Sequence, residues 1–287
     1  MRQNNRWIRS FRFRSQARIE ADLRFVRLEN PQDPRIAPYR NVRERDLIGR
    51  DQLFIAEGSV VLERLAASKR FATVSILIDE RRLGALTPVL ERFDAGVPIY
   101  IAPLGVLDQI VGFHIHRGVL AIGSRGPDPD PEALIAELPA SACVVMLVGL
   151  SNADNVGGVF RNCAAFGADV VLLDPTCCDP LYRKAIRVSV GGALITPFAR
   201  VADVTAMLAH LRAAGFELIA MSPTGGELLG GLTRAARTCV ILGAEGPGLP
   251  PAVLSQARGV QIPMAAGFDS LNVATTSGIV LHELMAS

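Results

Sequence analysis

The chain of 287 residues reads as an α/β protein in two parts, a compact α/β unit followed by a larger unit built on a parallel sheet. Three observations predict this. Short apolar runs alternate with stretches whose apolar residues recur at helical spacing. In the C-terminal half the strand-like runs are continuously apolar, as strands buried on both faces are. Between the halves, residues 123–131 hold three prolines and two glycines in nine positions, which neither a helix nor a central strand continues through. The expected organisation is a basic arm over 1–29, an α/β unit over 30–122, a linker with a short helix over 123–140, and a second unit over 141–287.

In the first half, residues 30–51 form a polar lead-in with Pro31, Pro34 and Pro38. Phe54-Ile55-Ala56-Glu57-Gly58 gives a strand ending in a glycine turn, and 59–67 carries Val61, Leu62 and Leu65 at helical spacing. A strand follows over 74–78. Residues 80–93 are mostly helical through Leu83, Leu86, Val89 and Leu90, with Thr87-Pro88 expected to break the helix and start a fresh one. A strand over 97–101, a helix over 104–111 and a strand over 118–122 complete the unit. His114 and His116 alternate along an extended stretch; with no third ligand near, a surface role beside Arg117 is expected and no metal.

After the linker, 132–138 forms a short helix. Strands are expected over 143–148, 170–173, 218–221, 239–242 and 260–262, with helical patterns over 159–166, 204–214 and 251–257 between them. Val273, Val280, Leu281 and Leu284 then share one face of a final helix. The first strand-to-helix turn carries no G-x-G-x-x-G, and no G-x-x-x-x-G-K-[ST] occurs, so dinucleotide and triphosphate cradles lack their signatures.

Composition narrows the functional classes. Hydrophobic residues make up 49% of the chain, enough for a sizeable core, and no apolar run reaches the roughly 18 residues that cross a bilayer. A cytoplasmic protein is expected. Net charge is only +2, yet the cations are almost all arginine, Lys69 and Lys184 being the only lysines, and residues 1–24 hold seven arginines against two acids. That arm reads either as an RNA-touching segment, since guanidinium groups pair with phosphate and stack on bases, or as a plain extension. Its Arg-rich start also resembles an organelle transit peptide. Cys143, Cys163, Cys177, Cys178 and Cys239 form no C-x-x-C pair, and adjacent Cys177 and Cys178 suit neither a usual disulfide nor a zinc cage.

Three corners of the second half carry the chemistry. Asn152-Ala153-Asp154-Asn155-Val156-Gly157-Gly158-Val159-Phe160-Arg161-Asn162 opens the helix after the first strand. Leu242-Gly243-Ala244-Glu245-Gly246-Pro247-Gly248-Leu249 closes a later strand with three glycines around one carboxylate; those glycines are expected to leave room for a ligand lying against backbone. Residues 262–283 run from a strand end through Pro263 and a glycine loop to Ser270-Leu271-Asn272, a helix start whose unpaired N–H groups accept polar or anionic groups, with Ser270 or Asn272 capping it or touching the ligand. Between them, 179–189 sets Arg183, Lys184 and Arg187 on one helical side, suited to RNA phosphates or to a solvated face.

In this order the three corners resemble the motifs of the TrmH (SpoU) family of RNA ribose 2'-O-methyltransferases, in the SPOUT superfamily. The segment Asp-Pro-Leu-Tyr-Arg-Lys-Ala-Ile-Arg-Val-Ser from Asp179 adds to the match, and FIAEGSVVLERL with HIHRGVLAI extends it in outline to the first half. The resemblance implies a SPOUT domain with a deep trefoil knot, preceded by a small α/β/α substrate-binding domain, and a homodimer through the catalytic domain. It implies S-adenosyl-L-methionine as cofactor, its adenine and ribose read by backbone groups of Gly243, Ile262 and Leu271, with Gly248, Glu245, Ser270 and Asn272 alongside. Asn155 and Arg161 match the first motif and are expected to converge at the mouth of the site. An arginine stays protonated, so Arg161 is expected to bind the phosphate beside the target ribose and stabilise the developing alkoxide, with Asn155 fixing it or the loop. One departure is Ala274 where many relatives carry serine, followed by Thr275 and Thr276. The implied activity is methylation of ribosomal or transfer RNA; a non-catalytic RNA-binding or ribosome-assembly factor that kept the cofactor pocket is the alternative.

Overall fold

The computed structural model describes residues 24–40, 52–112, 117–267 and 270–285. Most of the basic arm and the His114–His116 stretch lie outside the described residues. The chain divides into two compact units at Gly126 and Pro127. No described helix is long and apolar enough to cross a membrane.

Among the described residues the first unit is built on a five-stranded mixed sheet. Its strands are β1 (Phe25–Arg27), β2 (Leu53–Glu57), β3 (Ala72–Asp79), β4 (Ile99–Ala102) and β5 (Val119–Ser124), in the order β1-β4-β3-β5-β2. β4 pairs in parallel with β1 and β3, whereas β5 runs antiparallel to β3 and β2. The pleat sorts the side chains. Leu77, Tyr100, Leu120 and Ile122 face a core closed by Ile36 and Tyr39 and by Leu107, Ile110 and Val111 of α3 (Leu104–Val111). The alternate positions Ile76, Ile78, Ile99 and Ile101 are equally buried on the other face. Helix α1 (Ser59–Ala67) packs there against β2, β5 and α2 (Leu83–Leu90), giving an α/β/α sandwich. Inside it the Tyr39 hydroxyl and Ser75 Oγ lie 2.8 Å apart, so neither buried group is left unpaired.

Three expectations change here. Phe25–Arg27, counted with the arm, is a sheet strand, its pairing supplied by β4 from far along the chain. Pro88 does not break a helix: α2 runs through it, and Thr87 Oγ1 donates to the Leu83 carbonyl at 2.9 Å inside the same turn. The linker begins later than residue 123, and the short helix expected within 123–140 packs on the second unit. β5 reaches Ser124, and α4 (Pro131–Ala136), capped by Asp130, buries Ile135 in the core of the second unit.

Among the described residues the second unit holds seven strands, all parallel: β6 (Ala142–Val148), β7 (Val170–Leu173), β8 (Phe198–Arg200), β9 (Glu217–Met221), β10 (Glu227–Leu228), β11 (Arg237–Gly243) and β12 (Arg258–Gln261). Their order is β10-β12-β9-β11-β6-β7-β8. The late strand β11 sits between the earlier β6 and β9, an order that accommodates the threaded late chain implied by the resemblance. One face packs Val144, Met146, Leu172 and Ile241 against Ile135 of α4, Leu208 and Leu211 of α7 (Val204–Ala213) and Val253 of α8 (Pro251–Leu254).

The other face is covered by α5 (Ala153–Phe166) and α9 (Val273–Met285), with α6 (Arg183–Val188) against α5. α5 starts at Asn152, whose side chain accepts from the Asp154 N–H at 2.8 Å, and ends at Gly167 in the left-handed conformation. Its glycine pair admits two neighbours. A Cβ on Gly157 would lie 2.7 Å from the Ala185 carbonyl oxygen of α6, and one on Gly158 would lie 2.5 Å from Ala274 Cβ of α9.

Gly157→Ala is expected to destabilise the protein by up to about 2 kcal/mol, because crowding of roughly 1–3 kcal/mol against a backbone carbonyl outweighs the ~1 kcal/mol that alanine gains in a helix. Urea unfolding of the two proteins measures the difference; a more stable variant would contradict the packing described.

Candidate active site

The neighbouring strands β12, β9 and β11 end at one cavity of about 400 Å³, at the carboxyl edge where parallel sheets bind ligands. Gly243, Glu245, Gly248, Ile262, Ser270, Leu271 and Asn272 all line it. Met221, Ser222 and Pro223 at the end of β9, with Leu242, Met264, Val273 and Thr276, complete the wall. The sequence reading missed the Met221–Pro223 corner; a strand end followed by proline and two glycines was its available signal.

Asn272 joins the three motifs. Its Nδ2 donates to Asn155 Oδ1 and to Glu245 Oε1, each at 2.9 Å. Its Oδ1 accepts from the N–H groups of Ala274 at 2.9 Å and Thr275 at 3.2 Å, capping α9. Asn155 is 7% exposed, so this bond satisfies a buried amide. The arrangement assigns Asn272 the capping role that the sequence left open between it and Ser270.

Of the second motif's glycines, Gly243 serves the loop itself, whereas Gly246 and Gly248 line the cavity with open space where a side chain would stand. A Cβ on Gly243 would fall 2.7 Å from the backbone of Gly248 and Leu249, so the loop's own return occupies that space. Gly246 and Gly248 face open space but adopt φ of +86° and +67°, which glycine takes without strain. The Gly248 N–H closes the turn on the Ala244 carbonyl at 3.1 Å.

Asn155 and Arg161 do not converge side by side. Both lie within the single helix α5, where six residues separate them by roughly 240° and about 9 Å of rise. Asn155 faces the cavity corner through Asn272. Arg161 is exposed and borders a second, open hollow of about 410 Å³ with Gly158, Asn162, Val188, Ala274, Thr275, Gly278 and Ile279. The two hollows lie on different sides of the start of α9, Thr276 lining one and Thr275 the other. Ala274, the departure noted above, belongs to the helix contact with Gly158 and not to the cavity wall.

Of the basic trio, Arg183 and Arg187 stand one turn apart on α6, while the Lys184 ammonium pairs with the Asp154 carboxylate at 2.6 Å. Cys177 is buried. Its Sγ accepts from the Leu150 N–H at 3.3 Å and donates to the Leu147 carbonyl at 3.4 Å, and burial pushes the thiol up to about 12. Among the described residues no three His, Cys, Asp or Glu side chains cluster as metal ligands.

The model of the SpoU rRNA Methylase family matches residues 142–282. An uncharacterized tRNA/rRNA methyltransferase of Mycobacterium tuberculosis is 40% identical over 265 residues, covering 88% of this chain and 89% of that protein. The chain belongs to the SpoU rRNA methylase family. Methyl transfer to RNA is the class of activity that comes with it. Solved structures share the fold. An AdoMet-bound rRNA methyltransferase from Sinorhizobium meliloti superposes with a TM-score of 0.75 at 22% identity, covering 91% of this chain and 97% of that one. An RNA 2'-O ribose methyltransferase superposes at 0.72 with 24% identity, covering 90% and 97%.

Asn272→Ala is expected to lower the unfolding free energy by about 1–3 kcal/mol, from the lost cap and the unpaired Asn155 amide. Chemical denaturation reads this directly, and an unchanged midpoint and slope would refute the joining role.

Proposed function

We propose that this methylase transfers a methyl group from S-adenosyl-L-methionine to a ribose 2'-hydroxyl of ribosomal or transfer RNA. The observation that carries the reading is the cavity lined by the second and third motifs, to which Asn155 of the first is tied through Asn272, with Arg161 of that motif bordering a second hollow on the other side of the start of α9. The residues fit the cofactor. The volume of about 400 Å³ suits a ligand of that class, and the wall combines apolar Leu242, Ile262 and Leu271 with backbone polar groups. Glu245 adds a carboxylate, the charge that a cationic ligand matches. The names of the two structural neighbours, one AdoMet-bound and one a ribose 2'-O-methyltransferase, support the same reading.

When bound, the cofactor supplies a methyl group on a positively charged sulfur, an electrophile for an oxygen nucleophile. The protein holds the nucleophile. Arg161 pairs with the phosphate beside the target ribose and stabilises negative charge growing on the 2'-oxygen, whose proton passes to solvent because a guanidinium does not accept one. Asn155 acts through Asn272, keeping the start of α9 against the cavity. Arg183 and Arg187 extend the basic surface along α6, whose Val188 borders the Arg161 hollow. The first unit and the basic arm hold the rest of the RNA, and two copies pair through the second unit in the cytoplasm.

Arg161→Ala should lower single-turnover methylation of RNA by about 100-fold or more while cofactor affinity by calorimetry moves less than threefold. Full activity in the variant would remove Arg161 from the reaction. The modified RNA should resist alkaline cleavage at the methylated position, which base methylation would not produce. A wild-type protein that binds cofactor and RNA without turnover would instead support the assembly-factor reading.

A further inference from the structure

We propose that Asn162, the neighbour of Arg161, is a positioning residue that holds the Arg161 helix in register with the cofactor cavity by locking α5 to the first turn of α9. The catalytic part of this inference rests on the methyl-transfer reading above. Asn162 Nδ2 donates to the Ala274 carbonyl at 2.7 Å and to Ser277 Oγ at 2.9 Å, and Ser277 Oγ donates to the same carbonyl at 2.7 Å. The three groups close a triangle. Exchanging the amide oxygen and nitrogen would set two oxygens 2.7 Å apart, so the orientation is fixed by chemistry.

The seat for this amide is built from small residues. A Cβ on Gly278 would stand 3.2 Å from Nδ2, and the Gly158–Ala274 contact brings the two helices close enough for a short side chain to span them. Ser277 is fully buried, so its hydroxyl has no solvent substitute for this partner. Asn155 and Asn162 are seven residues apart, within about 20° of the same line along α5 and roughly 10 Å apart in height. Both grip the same short segment, Asn155 through Asn272 and Asn162 through Ala274 and Ser277. Two grips on one stripe fix the rotation and the tilt of α9 relative to α5. That segment carries Thr276 in the cavity wall and Thr275 beside Arg161. Asn162, itself at the border of the Arg161 hollow, therefore ties that hollow to the helix turn that forms part of the cavity wall.

The test replaces Asn162 with leucine, close in size and without hydrogen bonds, and with alanine; Ser277→Ala is the second probe if either variant folds poorly. Hydrogen exchange at the amides of residues 275–278, measured without cofactor, should speed up at least tenfold, while exchange in the first unit stays as in wild type. With RNA and cofactor saturating, the methylation rate should fall at least tenfold, with cofactor affinity by calorimetry and KM for RNA changing less than threefold. Asn162→Leu combined with Ser277→Ala should be no worse than the more affected single variant, since both open the same triangle. Unchanged exchange in the Asn162→Leu protein overturns the proposal whatever the activity does. So does a rate loss explained by weaker cofactor binding. Faster exchange in the variant, with wild-type protein inactive on all RNA, sustains the locking role and overturns the methyl-transfer reading instead.

Discussion

The site depends on a hydrogen-bonded amide. Asn272 reaches residue 155 across 117 positions of sequence and residue 245 across 27, and its remaining oxygen caps the helix that follows. An amide suits this place because it donates and accepts at once. A carboxylate would cap α9 equally well but would repel Glu245 and offer no donor to Asn155. A lysine or arginine would satisfy both acceptors and leave the helix N–H groups open. The type of residue at 272 is thus set by three partners together, and the cavity wall follows from that choice.

Close helix packing is what lets such short side chains meet. Gly157 brings α6 against one side of α5, and Gly158 brings α9 against another. Glycine in a helix interior costs stability relative to alanine, about 1 kcal/mol each, and here that cost is offset by contacts larger residues would hold apart. Phe160 and Phe198 meet edge to face beneath this junction, with centroids 5.6 Å apart, which anchors α5 to the β8 edge of the sheet.

The sequence made the sheet core readable because β6 and β7 are unbroken apolar runs and β11 holds one over residues 239–242, none with a helical period. It hid β8, three residues following Pro197, and β10, two exposed residues whose strand character comes only from pairing with β12. The cavity residues of the second and third motifs were legible because turn chemistry is local. The relation of Asn155 to Arg161 was not. Reading both as flanking a helix start brought them together, whereas a helix already formed at Ala153 turns them apart. The Asn162 triangle left no mark, since its partners lie more than 110 positions away and only the strand order brings them near.

The bend between Ala244 and Gly248 needs nothing from a ligand. Gly243 yields its side-chain space to the returning backbone, and the two glycines after it take up the curvature. On this side of the cavity a guest molecule therefore meets a bend held by its own backbone, and ordering that bend adds little to the entropy cost of entry.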